Sequence, residues 1–333
     1  MVSGLAGIAM ALAGAGIWAL VTQYLTYTVI NTVVLALTVP WHLELRFSRA
    51  SVRPLMSYGW KVLAADLIGN FCEKLRTLII GRVYSTADLA FYDKGQQLQD
   101  LITSNISSSV MSVLFPAIAN TSDDIQSVKY MTKRAFGVMA YVIFPMMAGM
   151  IAVAEPLINL LYTEKWAASV PYLQLLCISS AVGLVSTTAL QSVKAIGRSD
   201  VLLRIEMIKK PVYLVILLLS VRISVMAVAV GVVAYGFYSS FINARQLKTL
   251  LNYSLSEQLR DLRAPFLLSA VMGVSVFFVG RWLPLPSVAL LAVQVVTGVA
   301  VYAVLSFVCK VPEFLFLRQI IMGFLGKKKP EAN

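Results

Sequence analysis

Charge is scarce in this chain. Only 13% of its 333 residues are charged, against about 25% in an ordinary soluble domain. That deficit excludes a water-soluble globular protein. Histidine is nearly absent: His42 stands alone in a short polar connector, so neither a metal centre nor a Ser-His-Asp triad has anything to build on. The three cysteines, Cys72, Cys177 and Cys309, lie far apart in or beside apolar stretches. Without CxxC spacing they read as packing residues. No nucleotide-binding loop and no nucleophile–base pair is visible, so neither catalysis nor a cofactor is expected.

What the chain does have is apolar length. Hydrophobic residues make up 59% of it, and the mean hydropathy is +0.78. Several runs reach or approach the roughly 20 residues that cross a bilayer as a helix. The runs are continuous rather than alternating, which rules out barrel strands. The expectation is an all-α, polytopic membrane protein of about ten transmembrane helices. The segments fall near 1–13, 16–39, 55–82, 87–117, 128–154, 169–195, 201–220, 224–247, 264–281 and 286–309.

The net charge of +12 would suggest nucleic acid in a soluble protein. Here it reads as cytoplasmic loop charge, and no nucleic-acid partner is expected. Of the 28 basic residues, 21 lie at positions 46–61, 129–134, 194–210, 245–263 and 310–329. The opposite loops hold only Arg82, Lys165, Arg222 and Arg281. This alternation predicts a cytoplasmic C-terminus, carried by an amphipathic piece from Val311 to Leu325 and a basic tail. Trp18, Trp41, Trp60, Trp166 and Trp282 fall near segment ends, as interfacial anchors do. The first segment is short for a span and lacks the basic start of a signal peptide. The expectation is that the chain begins inside a helix whose start is missing.

Two segments carry more polar groups than lipid tolerates. In the fourth, Asp93, Gln97, Asp100, Ser104 and Ser107 follow steps of four, three, four and three. They form one stripe, while Leu98, Ile102, Ile106, Val110 and Val113 belong to another. In the third, Asp66, Asn70, Glu73, Thr77 and Gly81 repeat the pattern, with Lys74 and Arg76 beside them. A charge at mid-bilayer costs about 2.5–3.5 kcal/mol on insertion scales, so both stripes are expected to face one water-filled cavity. A purely structural reading stays open. Glu73 and Arg76 could form a local i,i+3 ion pair, and Asp93 and Lys94 sit close to an outer loop. Arg204, Glu206, Lys209 and Lys210 cluster at the cytoplasmic end of their segment, where snorkelling accounts for them. Pro145, followed by Met146, Met147 and Gly149, predicts a bend in the fifth segment.

The stretches KLRTLIIGRVYSTADLAFYDKGQQL, SSVMSVLFPAIANTSDD and AVAEPLINLLYTEKWAASVPYLQLL resemble the polysaccharide and oligosaccharide flippases of the MOP exporter superfamily. The family's members share two six-helix lobes and two extra helices, and the lobes open alternately around a central cavity. The resemblance implies that residues 1–39 are the last two helices of a first lobe and 40–54 a cytoplasmic connector. Residues 55–250 would be the second lobe, 251–310 the extra helix pair and 311–333 the cytoplasmic tail. Most of the first lobe is absent from the sequence.

The implied function is translocation of a lipid-linked oligosaccharide, of polyprenyl-diphosphate type, to the outer leaflet of a bacterial cytoplasmic membrane. Its partners would be that lipid-linked oligosaccharide, membrane lipids, and a polysaccharide polymerase or glycosyltransferases. Candidates for head-group phosphate are Lys74, Arg76 and Lys94; for sugar, Asn70, Gln97, Gln99 and Ser104; for ion or proton coupling, Asp66, Glu73, Asp93 and Asp100. A MATE-like exporter of small organic cations is the alternative. The mixed charges of the third segment favour an anionic lipid head over it. A truncated, non-transporting membrane protein is the third reading, favoured by the missing lobe.

Overall fold

The computed structural model describes residues 2–38, 48–121 and 124–315. Among the described residues the chain forms ten α-helices and one short 3-10 turn. The helices are α1 (Val2–Leu12), α2 (Trp18–Thr38), α3 (Arg49–Val83), α4 (Thr86–Asn120) and α5 (Ile125–Tyr162). The turn Glu164–Ser169 leads to α6 (Val170–Ala195), α7 (Ser199–Ser220), α8 (Val225–Leu251), α9 (Leu255–Trp282) and α10 (Ser287–Val308). Each expected segment meets one helix. Seven of them are long and apolar enough to cross a membrane. α1 is too short, and polar residues interrupt α3 and α7. This is a multi-pass membrane protein.

The helices run further than the apolar runs, because helical hydrogen bonding does not stop where lipid does. α5 continues through Pro156 to Tyr162. α9 begins at Leu255, nine residues before the expected start, because Ser254 and Glu257 form a capping box. Ser254 Oγ accepts from the Glu257 amide at 3.2 Å, and Glu257 Oε2 accepts from the Ser254 amide at 2.9 Å. The same device opens α4 at Ser85 and Asp88. α3 is already helical at Arg49, inside the expected connector. His42, Trp41, Arg46 and the tail beyond residue 315 lie outside the described residues.

The chain divides into two units, Met1–Arg53 and Pro54–Asn333, with the division falling inside α3. In the first unit α1 and α2 form a hairpin. Gly14 and Gly16 turn it with φ of 76° and 53°, values that side chains disfavour. Gly7 lies against Gln23 so closely that a Cβ would collide.

In the second unit α5 is the central helix. Phe136, Met139, Ile143, Met147 and Ile158 are buried in one cluster with Leu173 and Cys177 of α6 and Tyr253 and Leu262. Leu98, Ile102, Ile106 and Val110 of α4 pack on the same cluster. A second cluster joins Cys72 and Ile80 of α3, Tyr92 of α4, Tyr213 of α7 and Val228 of α8. Cys72 and Cys177 are packing residues, whereas Cys309, at the end of α10, is exposed.

Candidate functional site

The α3 stripe opens onto a cavity. Asp66, Asn70 and Glu73 line a space of about 450 Å³ together with Thr187, Gln191 and Lys194 of α6 and Glu206 and Lys210 of α7. Four-residue and three-residue steps put the α3 groups on one face, and α6 and α7 supply the facing walls. Asp66 is half exposed and pairs with Lys194, Nζ to Oδ1 at 3.1 Å. Lys210 stands over the rings of Tyr213 and Tyr235, at 5.6 and 5.8 Å.

The α4 stripe opens onto a second cavity, of about 320 Å³. Gln99, Asp100, Thr103, Ser104 and Ser107 line it, facing Ser179, Ser180 and Thr187 of α6. Thr187 borders both spaces. The α4 wall is held in place by its own hydrogen bonds. Gln99 donates from Nε2 to Thr103 Oγ1 at 2.8 Å, and Ser104 Oγ donates to the Asp100 carbonyl at 2.6 Å.

Arg76 joins the two walls. It is 7% exposed. Its Nη2 donates to Gln96 Oε1 at 2.9 Å, and Gln96 Nε2 donates to Asp100 Oδ2 at 3.1 Å. Its guanidinium lies 5.4 Å from the centre of the Tyr92 ring. No ion pair with Glu73 forms among the described residues, so the local-pair reading of Arg76 gives way to a bridge from α3 to α4. Arg76 Nε and the Tyr92 hydroxyl are buried without a hydrogen-bond partner among the described residues.

Not every expected residue joins these cavities. Lys74, Asp93 and Gln97 are exposed and line neither, and Arg76 is buried behind the linings of both. Lys94 donates to Gln97 Oε1 at 3.2 Å and sits 4.9 and 5.7 Å from the ring centres of Tyr162 and Trp166. An aromatic clamp, not a cavity, holds it.

Snorkelling fails for part of the α7 cluster. Arg204 is exposed, but Lys209 is 2% exposed and Glu206 7%. Glu206 accepts from Lys209 Nζ at 2.6 Å and pairs with Lys210 at 3.6 Å. A carboxylate one turn away neutralises the lysine, and that allows its burial. The sequence does not mark Thr187, Gln191, Lys194 or Gln96 as cavity or bridging residues. Only the i,i+4 spacing of Glu206 and Lys210 carried a local signal; the rest depends on which helices meet.

Comparison with known proteins adds a lineage to this geometry. Residues 1–171 match a family described as polysaccharide biosynthesis protein. The lipopolysaccharide biosynthesis protein WzxC of Escherichia coli (strain K12) is 25% identical over 230 residues, 68% of this chain and 46% of that protein. The teichuronic acid biosynthesis protein TuaB of Bacillus subtilis (strain 168) is 24% identical over 238 residues, 71% of this chain and 49% of that one. The succinoglycan biosynthesis transport protein ExoT of Rhizobium meliloti (strain 1021) is 24% identical over 195 residues, 59% of this chain and 40% of that one. The chain thus spans about half the length of the curated relatives it matches. Among solved structures, the lipid II flippase MurJ in its inward closed conformation shares the fold. Its TM-score is 0.68 at 15% identity, covering 96% of this chain and 66% of that chain.

Proposed function

The chain belongs to the polysaccharide biosynthesis protein family, and from that premise we propose that it forms the second lobe and extra helix pair of a lipid-linked oligosaccharide flippase. In this reading residues 1–39 close a first lobe, 55–250 form the second, and 251–310 are the extra pair. The ends of α6 and α7 near Lys194 and Arg198 face the cytoplasm of a bacterial inner membrane, as does the C-terminus. A polyprenyl-diphosphate oligosaccharide enters from that side and leaves at the outer leaflet by alternating access.

One observation carries the reading: two polar cavities adjoin at Thr187, walled by α3, α4, α6 and α7. A sugar diphosphate cannot cross hydrocarbon unless its charges and hydroxyls find partners. Arg76 lies behind the cavity linings, tied through Gln96 to Asp100; it supplies a buried guanidinium with an unpartnered Nε, and its planar fork suits phosphate oxygens. Lys210 of α7 lines the same cavity as Glu73, from a facing wall, and adds a second cation. Asn70, Gln99 and Ser104 offer hydrogen bonds to sugar. Asp66, Glu73 and Asp100 are the coupling carboxylates, with Asp66 already engaged by Lys194. Lys74, Lys94, Asp93 and Gln97 stand outside the cavities and are assigned no contact.

The test expresses the protein in cells lacking their own flippase, with surface glycan measured at matched protein levels. Arg76→Ala abolishes glycan export, Arg76→Lys retains part of it, and Arg222→Ala in an outer loop leaves it intact. Export that is equal in Arg76→Ala and Arg222→Ala removes Arg76 from the substrate path.

A further inference from the structure

A third polar cavity lies at the other end of the bundle, between α5, α9, α10 and the start of α6. Its volume is about 370 Å³, and Glu155, Asn159, Gln174, Arg281 and Gln294 are among its lining residues. Gln174 and Lys194 stand at opposite ends of α6, about 30 Å apart at 1.5 Å per residue. This cavity is therefore remote from the one that Lys194 lines.

Its hydrogen-bonding groups are sorted by the backbone. Gln294 is 2% exposed, and its Nε2 donates to the Val276 carbonyl at 3.2 Å. Gln174 Nε2 donates to the Ile151 carbonyl at 3.2 Å. Both amides thus use a donor on main chain and keep their oxygens as acceptors. Gln294 Oε1 and Asn159 Oδ1 are buried with no partner among the described residues. A buried acceptor left unmade costs about 1–3 kcal/mol. The Gln294 carboxamide packs so closely on Gly280 that a Cβ there would collide with it. The cavity lining thus carries two buried acceptors, on Asn159 and Gln294, without a donor among the described residues.

Size and charge narrow what those donors belong to. A bare cation needs its ligands within about 2–3 Å, whereas this cavity falls in the range of about 300–1,000 Å³ that holds small organic ligands. Glu155 and Arg281 bring opposite charges to it, so the lining favours neither a cation nor an anion. A neutral molecule rich in hydroxyls fits: each hydroxyl can donate to a carboxamide or carboxylate oxygen and accept from the guanidinium.

We propose that the cavity between α5, α9 and α10 is a second sugar-binding site, for a neutral, hydroxyl-rich unit of the transported glycan. The source of the sugar rests on the flippase reading; the chemistry of the pocket does not. In that reading the site lies at the outer end of the bundle and holds the glycan after it has crossed.

The test is saturation-transfer NMR on the purified chain in nanodiscs, with no lipid carrier present. The probes are the methyl glycosides of glucose, galactose, mannose, rhamnose and N-acetylglucosamine. At least one shows transfer from the wild type and from Arg222→Ala. The signal falls about fivefold in Asn159→Leu, as loss of a net hydrogen bond implies. It also falls in Glu155→Gln, whose exposed side chain changes without threat to the fold. No transfer with any of the glycosides, or transfer that both variants leave untouched, overturns the proposal. Thermal stabilisation by sodium over choline chloride that Glu155→Gln removes, without a sugar signal, makes the pocket a cation site and also overturns it. Because no lipid is flipped in this experiment, its failure leaves the Arg76 export test standing, and failure of that test leaves this pocket standing.

Discussion

The α3 and α7 walls of the cavity that Asp66 lines hold ion pairs of opposite kinds. On α7, Glu206 and Lys209 are buried with side chains 9% and 3% exposed, and they meet at 2.6 Å. On α3, Asp66 is 53% exposed and reaches across to Lys194, itself 23% exposed. A buried pair is locked, because either partner left alone would be a charge out of water. An exposed pair is worth only about 0–1 kcal/mol, so giving it up costs little. One wall is therefore a fixture, and the other can trade its contacts for a substrate's. Burial, rather than the presence of charge, separates the two.

The largest effect expected is on the fixture. Glu206→Ala leaves Lys209 and Lys210 facing each other without their carboxylate and costs about 3–5 kcal/mol, read as a fall in thermal unfolding temperature of the purified protein. The double change Glu206→Leu with Lys209→Met restores most of that loss, since apolar replacement of a buried pair is often neutral. A loss below about 1 kcal/mol for Glu206→Ala, the range of an exposed pair, would erase the contrast between the walls.

A smaller effect is expected at Lys94, where Tyr162 and Trp166 flank the ammonium. Lys94→Met costs about 0.5–1 kcal/mol in stability, the worth of a partly exposed cation–π contact, and spares glycan export. A selective loss of export would return Lys94 to the substrate path.

The smallest stability effect is expected at Asp66. Asp66→Asn shifts unfolding by about 0–1 kcal/mol while it lowers export at matched protein levels. Unchanged export would make the Asp66–Lys194 pair as idle as any surface pair.

These expectations rest unequally on sequence and on structure. Ten helices were legible, because apolar length and basic loops are written locally in the chain. The stripe of Asp66, Asn70 and Glu73 was legible too, since helical period alone places it on one face. The opposite walls were not. Thr187, Gln191 and Lys194 become cavity residues only through the meeting of α6 with α3 and α4, a long-range fact that no window of sequence holds. Arg76 was found as a buried cation, but its bridge to Asp100 runs through Gln96, twenty residues away. Lys209 misled because lysines at helix ends usually reach for water; its burial depended on where Glu206 pointed.

The central claim is that the polar faces of α3 and α4 border water inside the bundle while the α4 face toward α5 is dry. Single cysteines at Asn70, Ser104, Ile102 and Ile106 test it most directly, on a background with Cys72, Cys177 and Cys309 replaced by alanine. Asn70 and Ser104 line the cavities, whereas Ile102 and Ile106 pack against the α5 core. The account predicts that a small polar thiol reagent modifies the first two far faster than the last two in membranes. Equal rates at all four positions would contradict it.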